Sequence, residues 1–134
     1  MRLQPDFPLR TERLLLRPYG RQDFEYLADV ASRPEVVRYL YEDVRDRQEV
    51  SAELELRARL RSIQKEGDRL LLVAETSEER RVVGDVNLHY VSEQHRRGEV
   101  GWVFHPDHQG QGYATEAAAV MLRLGFDELG LHRI

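Results

Sequence analysis

Cysteine is absent from this 134-residue chain. Its absence excludes a disulfide scaffold, a cysteine-ligated zinc site and a thiol nucleophile. Long apolar runs are missing too. No stretch approaches the roughly 18–20 apolar residues that span a bilayer, and the first residues lead into no apolar run of the signal-peptide type. We therefore predict a cytoplasmic protein that does not bind membranes.

An excess of positive charge is also missing. The chain has 20 basic and 24 acidic residues, for a formal net charge of −4. Residues 1–67 are balanced and residues 68–134 carry the negative surplus, so neither half forms a basic lobe. Nucleic-acid binding usually leaves a basic patch, so we predict no nucleic-acid partner. The length and the 41% hydrophobic content are typical of one globular domain.

Apolar segments and turn residues alternate regularly along the chain. Their periodicity predicts a strand at 13–17, helices at 22–31, from Pro34 and at 46–66, strands at 69–76, 81–91 and 98–104, a helix after Gly112 that ends near Leu129, and the start of another strand at 131–134. We expect an irregular arm at 1–10 and a helix-capping role for Gly67. This order indicates an α+β, or mixed α/β, layered fold.

The strand at 98–104 alternates in character. Successive side chains of a strand point to opposite faces of the sheet, which groups Val100, Trp102 and Phe104 on one face and Glu99, Gly101 and Val103 on the other. We expect Trp102 in the core and Gly84, on the preceding strand, at a bulge or a close approach. The apolar face of the last helix is predicted from helical spacing as Ala114, Ala117, Ala118, Met121, Leu122, Gly125 and Phe126.

The segment from Val103 to Ala118 carries the strongest indication of chemistry. A strand, a turn and a glycine-rich loop lead there into an uninterrupted helix. The first N–H groups of a helix lack partners, and the helix dipole adds positive charge, so this arrangement suits a phosphate group without lysine or arginine. Its small residues are Gly110, Gly112 and Ala114, and its neutral donors are Gln109, Gln111 and Thr115.

Three known loop types can be compared with this one. A Walker-type loop needs a lysine that is missing here, which also counts against a nucleotide-dependent enzyme. The dinucleotide fingerprint would place its third small residue at Thr115 and would need an acidic residue some 20 positions further on. The pattern Gln/Arg-x-x-Gly-x-Gly/Ala is matched in full by residues 109–114, Gln-Gly-Gln-Gly-Tyr-Ala.

That pattern resembles the pyrophosphate-binding signature of the GNAT superfamily of acyl-CoA-dependent N-acetyltransferases. Residues 98–106, Gly-Glu-Val-Gly-Trp-Val-Phe-His-Pro, and 109–117, Gln-Gly-Gln-Gly-Tyr-Ala-Thr-Glu-Ala, resemble the branch typified by the ribosomal-protein N-terminal (alanine) acetyltransferases. Residues 9–18, Leu-Arg-Thr-Glu-Arg-Leu-Leu-Leu-Arg-Pro, resemble the first strand of that branch.

The resemblance implies a central, mostly antiparallel sheet with helices on both faces, in a single acetyltransferase domain over residues 1–134. Its parts are the first strand and helices at 9–67, the central strands at 69–105, the cofactor loop and helix at 106–129, and the start of a fifth strand at 131–134. A complete member continues with a helix and two more strands. We therefore expect the chain to be an incomplete piece of a longer protein, or a fragment that forms a homodimer or aggregates.

The resemblance also implies a reaction. Acetyl-CoA lies between the fourth and fifth strands, with its pantetheine arm on Val103, Phe104 and His105. Its pyrophosphate lies on the loop from Gln109 through Gly110, Gln111, Gly112, Tyr113 and Ala114 to Thr115. A primary amine attacks the thioester directly, which agrees with the absence of cysteine. The backbone N–H at or near Val103 is expected to stabilise the oxyanion.

A general base must accept the proton of the amine. Glu99 is the first candidate because strand alternation places it on the same face as Val103, about 13 Å away. His89 is the second and Asp85 the third, and Asp85 is also a candidate substrate contact. Tyr39 and Tyr41 either line the acceptor site or pack in the core. The usual acid, a tyrosine after the fifth strand, has no counterpart here.

Two further alternatives remain open. The acceptor is a protein N-terminus or a small-molecule amine, and the negative net charge favours a cationic one. A catalytically inactive acyl-CoA-binding module, acting as a sensor or interaction partner, is the alternative to an enzyme. No metal is expected, because His105, Asp107 and His108 lie on one turn and metal sites need three or four converging ligands.

Overall fold

The computed structural model describes residues 2–32 and 46–134. The helix expected from Pro34, together with Tyr39 and Tyr41, lies outside the described residues. The chain divides into a larger unit, Met1–Pro18 with Leu60–Ile134, and a smaller unit, Tyr19–Arg59. No helix within the described residues is long and apolar enough to cross a membrane.

The larger unit is built on a five-stranded antiparallel sheet in the order β1-β2-β3-β4-β5. The strands are β1 (Leu9–Arg10), β2 (Leu14–Arg17), β3 (Arg69–Thr76), β4 (Val82–Ser92) and β5 (Arg97–Phe104). Short polar turns between β3, β4 and β5 produce antiparallel neighbours, as expected for hairpin connections. The mixed α/β fold is thus confirmed. The irregular arm expected at 1–10 is corrected, because Leu9–Arg10 pairs with β2 and Leu3 pairs with Ile63.

The core of the larger unit lies on one face of this sheet. Helix α3 (Tyr113–Arg123) and a π-helical turn (Leu124–Glu128) cover that face. The buried residues of this layer include Leu14, Leu16, Leu70, Leu72, Val86, Leu88, Phe104, Ala117, Val120, Met121 and Leu124. The predicted helix face is therefore partly wrong: Leu122 and Phe126 are exposed. The buried stripe follows 117, 120, 121 and 124, which places residue 122 about 100° away from residue 121.

Trp102 is not a core residue, contrary to expectation, because 51% of its surface is exposed. It lies opposite the fully buried Val86 of β4. On the other side of β5, however, the described chain supplies only a short parallel bridge at the start of the strand, between Arg97 and Arg133. A large side chain near the far end of an edge strand is covered from one side only.

The helix predicted at 46–66 is shorter in the structure. Helix α2 spans Arg47–Ala58, and Asp46 caps it by accepting a 2.9 Å hydrogen bond from Glu49 N–H. After the helix the chain pairs with the sheet instead, since Leu71 N–H donates to Leu60 O at 2.8 Å. Gly67 is therefore not a helix cap; its N–H donates to Tyr90 O at 2.8 Å. Pairing with β3 outweighs the good helix propensity of this segment.

Within its described residues, the smaller unit contains two α-helices, α1 (Phe24–Ser32) and α2. A 3-10 turn at Arg21–Asp23 precedes α1, so the helix begins two residues later than expected. Gly20 N–H donates to Asp23 Oδ2 at 2.8 Å and closes that turn. An exposed ion pair of 2.9 Å joins Arg47 of α2 to Glu25 of α1.

The segment 131–134 pairs with β5 only at the first residues of that strand. Gly98 N–H donates to Arg133 O at 2.9 Å, and Arg97 and Arg133 form a parallel bridge. The structure thus shows a single parallel bridge where the sequence predicts the start of another strand. Beyond Gly98, the outer edge of β5 has no strand beside it within the described residues.

Candidate active site

The outer edge of β5 is the first component of the site. The register between β4 and β5 is continuous from Gly84–Phe104 to Tyr90–Gly98. His105 N–H donates toward β4, to Val83 O, whereas Gly98 N–H donates away from β4. Because backbone groups alternate along an antiparallel strand, the N–H and C=O groups of Val100, Trp102 and Phe104 face the open edge.

This alternation corrects the expected oxyanion donor. Val103 has the same parity as His105, so its N–H lies in the ladder opposite Asp85. The N–H groups of Trp102 and Phe104 are the ones on the open edge. The sequence shows which side chains share a face, but the direction of the backbone groups depends on which neighbour the strand pairs with.

The turn after β5 connects this edge to the glycine-rich loop. Phe104 O accepts a 3.0 Å hydrogen bond from Gln109 Nε2. Buried His105 accepts a 3.1 Å hydrogen bond at Nδ1 from Asp107 N–H, which starts a 3-10 turn at Pro106–His108. Gln109 was expected as a donor to an anion, but in the structure its amide holds the loop against the strand end.

The loop itself presents unpaired backbone donors. Gly110 and Gly112 have φ of 79° and 84°, values that favour glycine. Within the described residues, the N–H groups of Gly110, Gln111 and Gly112 donate to no protein acceptor. Helix α3 begins at Tyr113, and its first-turn N–H groups lack partners inside the helix. The structure thus has unpaired backbone donors at the loop and helix start where the sequence predicts an anion site.

An arginine lies at this loop, which the sequence analysis missed. Arg13 Nη1 donates to Gln111 O at 2.9 Å, and its guanidinium lies 4.6 Å from the centre of the Tyr113 ring. A Cβ on Gly112 would come within 3.2 Å of Arg13 Nη2. Arg13 is about 100 residues away in sequence, so no local pattern could reveal its proximity to the loop.

Glu116, on the first turn of α3, holds this arginine. Its Oε1 accepts from Arg13 Nε at 2.7 Å, and its Oε2 accepts from Arg13 N–H at 2.8 Å and from the Thr11 hydroxyl. Partial burial acts to raise the pKa of Glu116, but the hydrogen bonds from Thr11 and Arg13 outweigh it and lower that pKa below its ordinary value. As an acidic residue in the first turn of α3, Glu116 also interacts favourably with the helix dipole.

The candidate bases lie on the face of the sheet that is opposite to the face covered by α3. Asp85 is directly opposite Val103 and is buried. Glu99 is exposed and lies opposite His89, four residues from Val103. This confirms the predicted shared face of Glu99 and Val103, at about 13 Å along the strand. Glu99 and His89 therefore form a cross-strand pair that is separate from Asp85.

The surroundings of His89 favour its neutral form. Burial and the positive charge of Arg69 lower its pKa, while Glu99 and the backbone of Gly67 act in the opposite direction. Arg69 and Glu99 are its partners in the register on β3 and β5. Its Nδ1 is buried without a hydrogen-bond partner among the described residues.

The lowered pKa of His89 predicts a specific pH dependence of stability. As pH is lowered, the imidazole of the unfolded chain becomes protonated near its ordinary pKa of 6.5, whereas that of the folded chain becomes protonated only at a lower pH. The free energy of unfolding should therefore fall as pH decreases through 6.5 toward the folded value. A His89→Gln variant should lose that component in melting curves recorded across this range. Replacing exposed His95 is the control, and parallel Tm–pH curves for wild type and His89→Gln would contradict the assignment.

Metal-ligating side chains do not converge in the described part of the chain, where no group of three or more His, Cys, Asp or Glu residues could hold an ion. His105 Nδ1 lies 3.7 Å from Asp107 Oδ2, and the rings of His105 and His108 are 5.7 Å apart. These contacts belong to one turn, and the Nδ1 of His105 already accepts from the Asp107 backbone.

All ten predicted cofactor residues lie at the end of β5 or in the segment that follows it. They are Val103, Phe104, His105, Gln109, Gly110, Gln111, Gly112, Tyr113, Ala114 and Thr115, and the turn at 106–108 separates the first three from the rest. Glu99 and His89 lie at the other end of the strand pair. Arg13 and Glu116 are added by the tertiary structure.

Comparison with known proteins agrees with this arrangement. Residues 13–134 match the acetyltransferase (GNAT) domain family. The chain is 30% identical over 94% of its length to the uncharacterised N-acetyltransferase YnaD of Bacillus subtilis, and spans 69% of that protein. It is also 30% identical to the spermidine N(1)-acetyltransferase of Escherichia coli K12, over 89% of this chain and 60% of that protein.

Solved structures show the same fold. A GNAT-family acetyltransferase from Bacillus anthracis superimposes with a TM-score of 0.76 at 29% identity, covering 92% of this chain and 69% of that one. A spermidine N-acetyltransferase from Vibrio cholerae, solved with CoA and spermine, gives 0.66 at 22% identity, covering 91% and 69%. The domain match spans most of the chain and both of its units. The chain therefore belongs to the GNAT family of acetyltransferases.

Proposed function

We propose that this chain is an acetyl-CoA-dependent N-acetyltransferase whose acceptor is a primary amine, and that residues 13–134 act as one catalytic domain. The observation that carries the proposal is the open edge of β5 running directly into a loop of unpaired N–H groups. An amide-containing arm can pair with the edge as an additional strand does, and a diphosphate can occupy the loop. Acetyl-CoA has both parts in this order.

In this proposal the cofactor is held by backbone groups. The diphosphate accepts from the N–H groups of the loop at 110–112 and from the first turn of α3. The pantetheine amides pair with the outward groups of Phe104 and Trp102. The thioester is at the opposite end of the arm from the diphosphate, so it lies near Val100, whose outward N–H is a candidate donor to the developing oxyanion. A donor that is already oriented stabilises this charge without reorganisation.

The reaction is a direct transfer. The amine nitrogen attacks the thioester carbonyl, a C–N bond forms, and the tetrahedral intermediate collapses with loss of the C–S bond to give the acetamide and the CoA thiolate. The amine proton passes to Glu99 through a water molecule, which bridges the distance along β5. Solvent protonates the thiolate. Asp85 and His89 are the alternative proton acceptors, and Asp85 is also placed to contact the amine.

Three observations bear on the acceptor. The relative from Escherichia coli acts on spermidine according to its name, and the net charge of −4 attracts a cationic amine over distance. The resemblance of residues 98–117 to the ribosomal-protein N-terminal acetyltransferases supports a protein N-terminus instead. Both acceptors are primary amines, so the chemistry proposed for the site is the same for each.

Acetyl-CoA is expected to raise the Tm of the protein, while ATP and NADPH at equal concentration leave it unchanged. Ligand at 100 times its Kd stabilises the folded state by about 2.7 kcal/mol. Acetyl transfer to spermidine and to an alanine-initiated peptide is then measured by product mass. Binding without transfer to any amine in a broader panel would favour the inactive acyl-CoA-binding module. No Tm shift with acetyl-CoA would overturn the proposal.

A further inference from the structure

Arg13 contacts the glycine-rich loop on the side of the Gln111 carbonyl group. Its Nη1 bonds to Gln111 O, and the Gln111–Gly112 peptide is trans. In a trans peptide the C=O and the following N–H point in opposite directions. The N–H of Gly112 therefore points away from the guanidinium, and it has no acceptor within the described residues.

This peptide has little else to hold it. Gly112 is exposed, and it carries no side chain that could restrict rotation of the peptide. Its O accepts from Glu116 N–H at 3.1 Å, which begins the hydrogen bonding of α3. The bond from Arg13 is thus the one hydrogen bond that the C=O and N–H of the Gln111–Gly112 peptide make within the described structure.

Arg13 is itself held from several directions. Glu116 receives both the Nε and the backbone N–H of Arg13, and the Tyr113 ring lies against the guanidinium. The Thr11 hydroxyl adds a third donor to the same carboxylate. Charge-assisted hydrogen bonds of this kind are stronger than neutral ones, and a chain of them polarises its members in the same sense.

We propose that Glu116 and Arg13 are positioning residues that orient the Gln111–Gly112 peptide so that Gly112 N–H faces the diphosphate of acetyl-CoA. They act through the loop and do not touch the cofactor. This inference rests on the proposed function of the loop and adds two residues to it, one from the segment before β2 and one from α3. A substrate that lacks the diphosphate should therefore be indifferent to both residues.

The test compares a substrate that contains the diphosphate with one that lacks it. Steady-state kinetics are measured with acetyl-CoA and with S-acetylpantetheine, which keeps the thioester and the amide arm but has no diphosphate. In Glu116→Gln and Arg13→Gln the KM for acetyl-CoA should rise about 10- to 100-fold, the range for loss of a hydrogen bond to a charged group. The kcat/KM for S-acetylpantetheine should stay within about twofold of wild type. If these residues had only a structural role, replacing them would lower kcat/KM for both substrates.

Lysine at position 13 separates orientation from charge. An ammonium keeps the charge but lacks the planar fork that reaches Glu116 and Gln111 O together. Arg13→Lys should therefore remain impaired with acetyl-CoA, and full recovery would overturn the positioning role. Arg10→Lys and Glu12→Gln, at exposed positions nearby, are the matched controls.

The remaining outcomes are also decisive. If wild type uses acetyl-CoA and the position-13 and position-116 variants match it, the positioning role is wrong and the proposed function stands. Equal losses with both substrates, accompanied by a lower Tm, would assign these residues to folding. A wild-type chain that neither binds nor uses acetyl-CoA would overturn the proposed function and this inference with it.

Discussion

Replacing Glu99 by glutamine is expected to lower kcat for acetyl transfer by about 10²- to 10⁴-fold, the usual contribution of a general base. Glu99 is exposed on β5 and shares a face with Val103, so a water-bridged path to the attacking amine is open. Glutamine keeps the size of the side chain but accepts a proton poorly. The KM for acetyl-CoA should change little, because the proposed cofactor contacts are backbone groups of β5 and the loop, which this substitution keeps.

The comparison variants distinguish the candidate bases. Glu93→Gln removes an exposed carboxylate from the turn before β5 and should leave kcat unchanged. Asp85→Asn and His89→Asn test the other two acceptors. A rate for Glu99→Gln within about twofold of wild type, together with a large loss in Asp85→Asn, would transfer the base role to the residue opposite Val103.

Replacing Gly84 by valine is expected to destabilise the protein and to weaken acetyl-CoA binding together. A Cβ at Gly84 would lie 2.5 Å from two carbons of the Phe104 side chain and 2.6 Å from Val103 O. One of those contacts is backbone, so β4 and β5 must separate at the end of β5 where the cofactor edge begins. Overpacking of a core costs about 1–3 kcal/mol, and this contact belongs at the upper end of that range.

The measurements are chemical denaturation and acetyl-CoA titration of the same preparation. Gly101→Ala is the matched control on the same strand pair, because its Cβ would meet the end of the Asn87 side chain at 3.0 Å, which can move aside. Gly101→Ala should lose well under half as much stability as Gly84→Val. Equal stability of Gly84→Val and wild type would show that the close approach is not required.

Local patterns were sufficient wherever neighbours in sequence determine the structure. The turns after β3 and β4 produced the antiparallel hairpins, and the spacing of apolar residues predicted all three long strands to within one residue. Gly84 was expected at a close approach and is found at one. The glycine-rich loop before α3 was predicted for the same reason. A backbone φ near +80° and the unpaired N–H groups of a helix N-terminus depend on only a few adjacent residues.

Other features depended on distant segments. The helix predicted at 46–66 ends at Ala58 because the following residues pair with Leu3 and β3. Helix propensity is a property of the local sequence, so it does not show that a distant strand competes for the same residues. Trp102 has the spacing of a core residue but lies on an edge strand, and only the arrangement of strands shows that the described chain covers it from one side.

The sequence by itself determined the fold class, the family and the position of the glycine-rich loop before α3, since these follow from short segments whose conformation is decided by neighbouring residues. Only the tertiary structure decided which backbone N–H groups of β5 face the open edge and which side chains support the loop. The first depends on the pairing partner of the strand. The second depends on Arg13 and Glu116, which lie about 100 residues apart and meet only when β2 and α3 pack in one unit.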